Sequence, residues 1–203
     1  MQLKIKICGI TNLEDAFLSK ELGADALGFI FYENSKRYIT PESAEQIAKQ
    51  IGALILKVGV FVNEKPERIN SIAKTVQLNI VQLHGDETPE MISQINLPVI
   101  KAFRVNEQFD FETLNNYKNC YYLLDTFSKS EYGGTGKSFY WNLIPAELRS
   151  KIILSGGISS DNIKNIKNEI NPYAVDVSSS LEEYPGKKSK GKLKEFFNKI
   201  RNI

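Results

Sequence analysis

Cysteine, histidine and long apolar runs are scarce in this sequence, and each scarcity excludes a class of protein. The two cysteines among 203 residues, Cys8 and Cys120, are too few for a disulfide framework and fit a reducing cytoplasm. The single histidine, His84, excludes any metal site with two histidine ligands. No apolar run is long enough to cross a membrane, and the chain starts with a strand-like segment rather than a signal peptide.

An excess of one charge sign is also missing. The 26 Lys and Arg residues nearly balance the 24 Asp and Glu residues, which leaves a net charge of +2 and no basic surface typical of nucleic-acid binding. Basic residues do gather at 187–201, but apolar residues recur there with a helical period, which indicates a closing helix with a solvated face. We therefore expect neither a nucleic acid nor a membrane as a partner.

Strand-like and helix-like segments alternate along the whole chain. Apolar, β-branched runs that predict parallel strands lie at 3–9, 25–31, 53–62, 79–85, 97–103, 120–125, 151–157 and 173–179. Helical patterns follow them at 11–23, 40–52, 65–76, 87–95, 107–118, 141–148, 159–170 and 191–201. The eight units predict a closed (βα)8 barrel, whose usual lower limit is about 200 residues.

The alternative architecture is an open, doubly wound α/β sheet. Its usual nucleotide motif, G-x-G-x-x-G after the first strand, is absent here. No linker rich in proline or serine divides the chain. The sequence therefore predicts an α/β fold with one domain over residues 1–203, a single-domain TIM barrel.

Active sites of such barrels lie at the carboxyl ends of the strands, and phosphate usually binds in the loops after strands 7 and 8. Gly156 and Gly157 follow strand 7 and open the next predicted helix, so their N–H groups and the helix dipole favour an anion. Ser178 and Ser179 follow strand 8, and the two loops together predict a small phosphorylated substrate. The other candidates at strand ends are Cys8, Arg37, Asn63, His84, Arg104, Asp125 and Ser155.

A glycine-rich segment, GGTGKS at 133–138, is similar to the end of a phosphate-binding P-loop. That motif needs a glycine at the position of Glu131, so we reject the similarity. We interpret residues 126–138 as a mobile catalytic loop, with a plain flexible loop as the alternative.

Eight motifs in order along the whole chain resemble phosphoribosylanthranilate isomerase, an enzyme family of tryptophan biosynthesis. The combination of KICGIT, QLHG and GGTGK is specific for this family, whereas each of these motifs alone is weak evidence. The motifs are KICGIT (6–11), SKRYI (35–39), VGVFVN (58–63), QLHG (82–85), LLDT (123–126), GGTGKSFYW (133–141), SGGI (155–158) and VDVSSSLE (175–182).

The resemblance implies a cytoplasmic enzyme without cofactor or metal, a monomer or homodimer. It implies an Amadori rearrangement of N-(5-phosphoribosyl)anthranilate to 1-(o-carboxyphenylamino)-1-deoxyribulose 5-phosphate, the third step from chorismate to L-tryptophan. Cys8 matches the general base, Asp125 the general acid, and Arg37 the residue that holds the anthranilate carboxylate. The positions implied for the phosphate and the pocket wall are Gly156, Gly157, Ser178, Ser179 and His84.

The alternation of side chains along a strand adds a prediction about the base. If Cys8 points into the barrel, Lys6 also does, and a lysine inside a barrel must be paired. Asp176 shares this orientation with Ser178. We expect Lys6 to pair with Asp176 or another inward carboxylate, and to bias the Cys8 thiol towards thiolate.

Two other functions remain open at this point. The isomerase of the histidine pathway carries out a similar rearrangement on a similar barrel, but it has an aspartate where Cys8 stands. A non-catalytic barrel that binds sugar phosphates needs no acid–base pair. Departures from the family pattern occur at Ser180, Ser189 and Tyr140, where the family usually has Gly, Asp and Asp. We expect Ser180 either to strain its turn near the phosphate or to add a hydroxyl contact, and the other two to affect loops rather than activity.

Overall fold

The computed structural model describes residues 3–126 and 141–201, and its centre is a closed barrel of eight parallel strands. The strands pair in chain order, and the last pairs with the first from Lys4 with Ala174 to Ile7 with Val177. This confirms the predicted TIM barrel. The strands are β1 Lys4–Cys8, β2 Ala26–Ile30, β3 Leu56–Phe61, β4 Ile80–Leu83, β5 Val99–Val105, β6 Tyr121–Thr126, β7 Ile152–Leu154 and β8 Ala174–Val177.

Helices of very different length cover the barrel. The first two long helices begin where the sequence predicts, because Asn12 and Thr40 accept hydrogen bonds from the N–H groups of Asp15 and Ser43. Among the described residues, no helix has both the length and the apolar character needed to span a membrane. The helices are α1 Leu13–Leu22, α2 Pro41–Ile51, α3 Pro66–Val76, α4 Pro89–Ile92, α5 Ala146–Arg149, α6 Ile163–Asn165 and α7 Lys190–Arg201.

Several predicted helices in the second half of the chain are much shorter than expected. The segment 107–118 forms a 3₁₀ helix at Phe111–Asn116, which contains asparagines that favour turns over helix interiors. Two more 3₁₀ turns occur at Trp141–Leu143 and Ser179–Leu181. The helix predicted at 159–170 begins at Ile163 and continues as a π-helix over Ile166–Ile170.

A short hairpin that the sequence analysis did not predict follows β8. Its strands are β9 Glu182–Tyr184 and β10 Lys187–Lys188, which pair antiparallel. The hairpin begins and ends with two buried charged residues, Glu182 and Lys188. Both side chains lie near the mouth of the barrel.

The barrel interior changes from apolar to polar along its axis. An apolar cluster separate from the outer core fills the interior towards the amino ends of the strands, with members Ala26, Val58, Ile100, Ala102, Leu123, Ile153 and Ala174. Four polar side chains, Lys6, Gln82, Asp125 and Asp176, are buried closer to the carboxyl ends. The apolar cluster thus closes the barrel from below and leaves polar groups at the opposite mouth.

We expect Leu123→Ala to destabilise the barrel, because Leu123 has 0% exposure and belongs to this interior cluster. The free energy of unfolding should fall by about 2–5 kcal/mol, as for other buried leucines replaced by alanine. Urea denaturation followed by circular dichroism measures the change. The matched control is Leu143→Ala at a position that is 41% exposed, and equal losses in both variants would contradict the assigned interior.

Candidate active site

The predicted site residues meet at the carboxyl ends of the strands. One cavity at this mouth is lined by Cys8, Arg37, His84 and Asp125, which come from β1, the loop after β2, the end of β4 and β6. An adjoining cavity shares Asp125, Ser155, Asp176 and Ser178 with the first. The residues lining this second cavity also include Gly156, Gly157, Ser179 and Ser180.

The two remaining strand-end candidates serve the neighbouring loop instead. Asn63 accepts a hydrogen bond from the N–H of Asp86 through its side-chain oxygen, at 2.7 Å. Arg104 forms an ion pair with the Asp86 carboxylate. Both contacts hold the loop that follows β4 and His84.

Cys8 lies above a buried ion pair. The Lys6 Nζ and Asp176 Oδ1 atoms are 2.8 Å apart, with both side chains at most 5% exposed, which confirms the predicted pairing. Burial raises the pKa of the Cys8 thiol, and the nearby charges of Lys6 and Lys188 only partly oppose this. Lys6 lowers this pKa, as predicted, but desolvation has the larger effect, and the pKa of the thiol lies above its ordinary value.

Gly28 makes room for this sulfur, and the sequence analysis missed it. Gly28 pairs with Cys8 in the β1–β2 register. A Cβ atom added there would lie 2.7 Å from Cys8 Sγ and 3.1 Å from Lys6 Nζ. A glycine inside an apolar strand often marks such a close approach, so it was the available signal.

Asp125 is held from two sides at the end of β6. Its Oδ1 atom accepts a hydrogen bond from the N–H of Thr126 at 2.8 Å. Its Oδ2 atom lies 3.2 Å from His84 Nε2, and the side chains are 5% and 8% exposed. Gly156 packs against this carboxyl, because a Cβ there would come within 2.9 Å of Oδ1.

Arg37 reaches the cavity with its guanidinium already oriented by a carboxylate. Its Nε and Nη2 atoms donate to Glu182 Oε1 and Oε2 at 2.9 and 2.7 Å. Lys188 Nζ lies 2.9 Å from the same Oε1 atom. Burial raises the pKa of Glu182, but the hydrogen bonds and charges of Arg37 and Lys188 outweigh it, so this pKa lies below its ordinary value.

The sequence analysis did not identify Glu182 and Lys188 as part of the site. Both lie in the unpredicted hairpin, far along the chain from Arg37. Burial lowers the pKa of Lys188, and the Glu182 carboxylate only partly offsets this. In the sequence, Lys188 lies in a basic segment of the kind that usually forms the solvated face of a helix. No feature of that segment distinguishes the buried lysine from its exposed neighbours.

The loops after β7 and β8 together form a cradle around the second cavity. Gly156 and Gly157 have φ values of 86° and 69°, a left-handed conformation that favours glycine. Helix α6 begins only at Ile163, so the prediction that these glycines open a helix is wrong. The segment between these glycines and α6 is held instead by the side chain of Asn162. Its oxygen accepts a hydrogen bond from the N–H of Ser159, and its nitrogen donates one to the carbonyl oxygen of Gly157.

The serines after β8 fasten neighbouring segments to each other. Ser178 Oγ donates to the carbonyl oxygen of Cys8 at 3.0 Å, and Ser179 begins a 3₁₀ turn. Ser180 Oγ donates to the carbonyl oxygen of Ile158, which joins the two loops of the cradle. The hydroxyl contact expected at Ser180 is therefore made within the protein.

The predicted catalytic loop at 126–138 lies outside the described residues except for Thr126. The same holds for Tyr140, one of the positions that departs from the family pattern. The site described here consists of residues from the barrel and from the loops after β1, β2, β4, β7 and β8.

Comparisons with known proteins agree with the fold. A model of the family described as N-(5'phosphoribosyl)anthranilate (PRA) isomerase matches residues 5–199. The N-(5'-phosphoribosyl)anthranilate isomerase of Thermotoga petrophila is 47% identical over 99% of this chain and 100% of its own length.

Two solved structures are similar over 100% of both chains, each with a TM-score of 0.88 and 43% identity. One is of monomers generated from the dimeric phosphoribosylanthranilate isomerase of Thermotoga maritima. The other is a phosphoribosylanthranilate isomerase in complex with reduced 1-(o-carboxyphenylamino)-1-deoxyribulose 5-phosphate. With a matching family model and a relative of this identity over its full length, the chain belongs to the N-(5'-phosphoribosyl)anthranilate isomerase family.

Proposed function

We propose that Cys8 and Asp125 supply the base and the acid for the reaction of this family. That reaction isomerises N-(5-phosphoribosyl)anthranilate to 1-(o-carboxyphenylamino)-1-deoxyribulose 5-phosphate in tryptophan biosynthesis. The observation that carries the proposal is the shared cavity, which a thiol from β1 and a carboxyl from β6 both line. A sugar bound there contacts both groups from different sides of the barrel.

The reaction needs an acid to open the ribose ring and a base to remove the proton on C2. Asp125 in its protonated form donates to the ring oxygen of the ribose, and the C1–O bond breaks while the anthranilate nitrogen forms a protonated imine with C1. This imine acidifies the proton on C2, which the Cys8 thiolate removes. The enolamine that results becomes the ketone when C1 gains a proton and the hydroxyl on C2 loses one to water, so no net oxidation or covalent enzyme intermediate is involved.

The two ends of the substrate are charged, and the site has a candidate group for each. Arg37 is placed for the anthranilate carboxylate, and its two hydrogen bonds to Glu182 fix the plane of the guanidinium. The N–H groups around Gly156, Gly157, Ser178 and Ser179 suit the phosphate, because left-handed glycines turn successive amides towards one concavity.

The identity of the proposed base argues against the alternative function, the isomerase of the histidine pathway. That enzyme has an aspartate at the end of strand 1, and Cys8 occupies this position. A non-catalytic barrel is disfavoured because Asp125 and Cys8 are both retained, buried, at one cavity. We infer a cytoplasmic enzyme, since Cys8 acts as a base only while it stays a reduced thiol, and both cysteines are free.

We infer a homodimer formed through the amino end of the barrel. This face surrounds a cavity of about 630 Å³ whose lining is mainly apolar. Leu54 is 94% exposed at its edge, together with the half-exposed Tyr121 and Tyr173. A patch of this kind in a folded protein is typical of an interface, and a similar enzyme is described as dimeric.

Removal of either proposed catalytic group should abolish turnover. We expect Cys8→Ala and Asp125→Asn each to lower kcat by about 10²–10⁴-fold, the usual contribution of general acid–base catalysis. The substrate is generated from anthranilate in the assay mixture, and its consumption is followed by fluorescence. Binding of the reduced product analogue should persist in both variants.

The chain offers a matched control for each change. Cys120→Ala removes the other cysteine, which contacts the carbonyl oxygen of Tyr117 and not the cavity. Asp161→Asn makes the same carboxyl-to-amide change at an exposed position of the same end of the barrel. Activity of Cys8→Ala equal to that of Cys120→Ala would refute the assignment of the base.

A methyl group at position 28 should displace the sulfur without removing it. We expect Gly28→Ala to lower kcat by about 100-fold, because a catalytic group misplaced by about 1 Å costs this much. Circular dichroism should show a folded barrel, and kcat and KM should be measured separately. The control is Gly191→Ala, where the nearest atom to an added Cβ is 3.9 Å away, and an active Gly28→Ala enzyme would contradict the packing of Cys8.

The molecular mass in solution tests the proposed dimer. Light scattering coupled to gel filtration should give twice the chain mass of 23.0 kDa for the wild type. Leu54→Asp should give the monomer, since a carboxylate on the apolar face opposes its burial, and activity should remain because the site is at the other end. A wild-type protein that stays monomeric at micromolar concentration would rule out the proposed interface.

A further inference from the structure

Two buried polar side chains form a row with the proposed acid. Gln82 Nε2 lies 2.8 Å from His84 Nδ1, and His84 Nε2 lies 3.2 Å from Asp125 Oδ2. Over the whole residue, the exposed fraction is 0% for Gln82, 7% for His84 and 4% for Asp125. The proposed chemistry uses Asp125, but it assigns no task to the first two.

The amide of Gln82 determines which nitrogen of His84 carries the proton. With its N–H directed at Nδ1, as in the structure, Nδ1 accepts, and a neutral ring then carries its proton on Nε2. The opposite orientation would place the proton on Nδ1. It would then direct the Nε2 lone pair at Asp125, which repels a carboxylate.

The Gln82 amide has one side-chain partner among the described residues. Its Nε2 atom contacts His84 Nδ1, and its Oε1 atom is buried without a hydrogen-bond partner there. The hydrogen bond to His84 is therefore the contact that accounts for a glutamine inside the barrel.

We propose that Gln82 and His84 are positioning residues for the general acid, which rests on the proposed role of Asp125. Gln82 fixes the His84 ring with its proton on Nε2, and this N–H binds the Asp125 carboxylate that forms when the sugar ring opens. The proton given to the ring oxygen leaves from Asp125 Oδ2, the oxygen nearest His84. His84 keeps its own proton throughout, and it stabilises the conjugate base of the acid.

The rest of the local structure is suited to this task. Thr126 N–H occupies Asp125 Oδ1 at 2.8 Å, which leaves Oδ2 for the transfer. The Nε2 and Oδ2 atoms are close but not aligned for a hydrogen bond, since His84 Nε2 has no partner of good geometry among the described residues. Catalytic hydrogen bonds are often misaligned before substrate binds and then tighten.

The backbone of His84 is also fixed. Its N–H donates to the carbonyl oxygen of Phe61 at 2.8 Å. The next loop is held by the buried Lys101–Glu87 pair, at 2.9 Å, and by Glu87, which accepts from the N–H of Gly85. The ring therefore has little freedom except rotation, which the Gln82 amide limits.

The protein contains a single histidine, so its tautomer can be measured without assignment. Protein without a histidine tag, labelled with ¹⁵N-histidine, should give one pyrrole-type signal and one pyridine-type signal. Correlation to the ring protons should place the proton on Nε2 in the wild type, and Gln82→Met should lose this preference. A proton on Nδ1, or two protonated nitrogens, would overturn the proposal.

Kinetics test the positioning role separately. We expect His84→Leu to lower kcat by about 10- to 100-fold with little change in KM, the loss typical of a hydrogen bond to a charged group. His84→Gln places an amide N–H near the position of Nε2 and should recover most of this loss. Equal kcat values for His84→Leu and His84→Gln would contradict the role of the donor.

The two proposals fail in different ways. If Asp125→Asn keeps full activity, the assignment of the acid is wrong, whatever the tautomer of His84. If Asp125→Asn is inactive but the proton lies on Nδ1, the acid stands and the positioning role of Gln82 and His84 is wrong.

Discussion

The structure depends on the register with which β8 closes on β1. That register pairs Lys6 with Asp176, and because side chains alternate, it also turns Cys8 and Ser178 to the inside. A shift by one residue would exchange inside and outside on the whole strand. The Lys6–Asp176 ion pair, buried from water, opposes such a shift, since it would leave two charges unpaired in the core.

Three groups of opposite charges are buried near the mouth of the barrel, and this organises the site. Lys6 with Asp176, Lys101 with Glu87, and Lys188 and Arg37 with Glu182 each combine opposite signs within 3 Å. Such pairs add little net stability over apolar residues, but removal of one partner is costly. They therefore fix loops from distant parts of the chain in one arrangement around the cavity.

The sequence was sufficient for the barrel and for the residues at strand ends, because both follow from local patterns. Alternating segments predicted the fold, and strand ends together with the family motifs pointed to Cys8, Asp125 and the two glycine and serine loops. Gly28 gave only the weak signal of a glycine inside an apolar strand, and Glu182 and Lys188 could not be found in this way. Their roles arise from contacts across the barrel, and the short helices after β5 and β7 reflect turn-forming side chains that outweighed weak helical periodicity.

The proposed acid and the proposed base have different surroundings, which suits their distinct roles. Cys8 lies over Lys6 and near Lys188, so positive charge favours its anion while burial opposes it. Asp125 instead accepts a hydrogen bond from the Thr126 N–H, and its other carboxylate oxygen lies 3.2 Å from His84 Nε2. The thiol and the carboxyl therefore line one cavity but have different nearest groups, two lysines for the first, and a backbone N–H and an imidazole for the second. A difference of this kind is what a site needs to hold a base and a proton donor side by side.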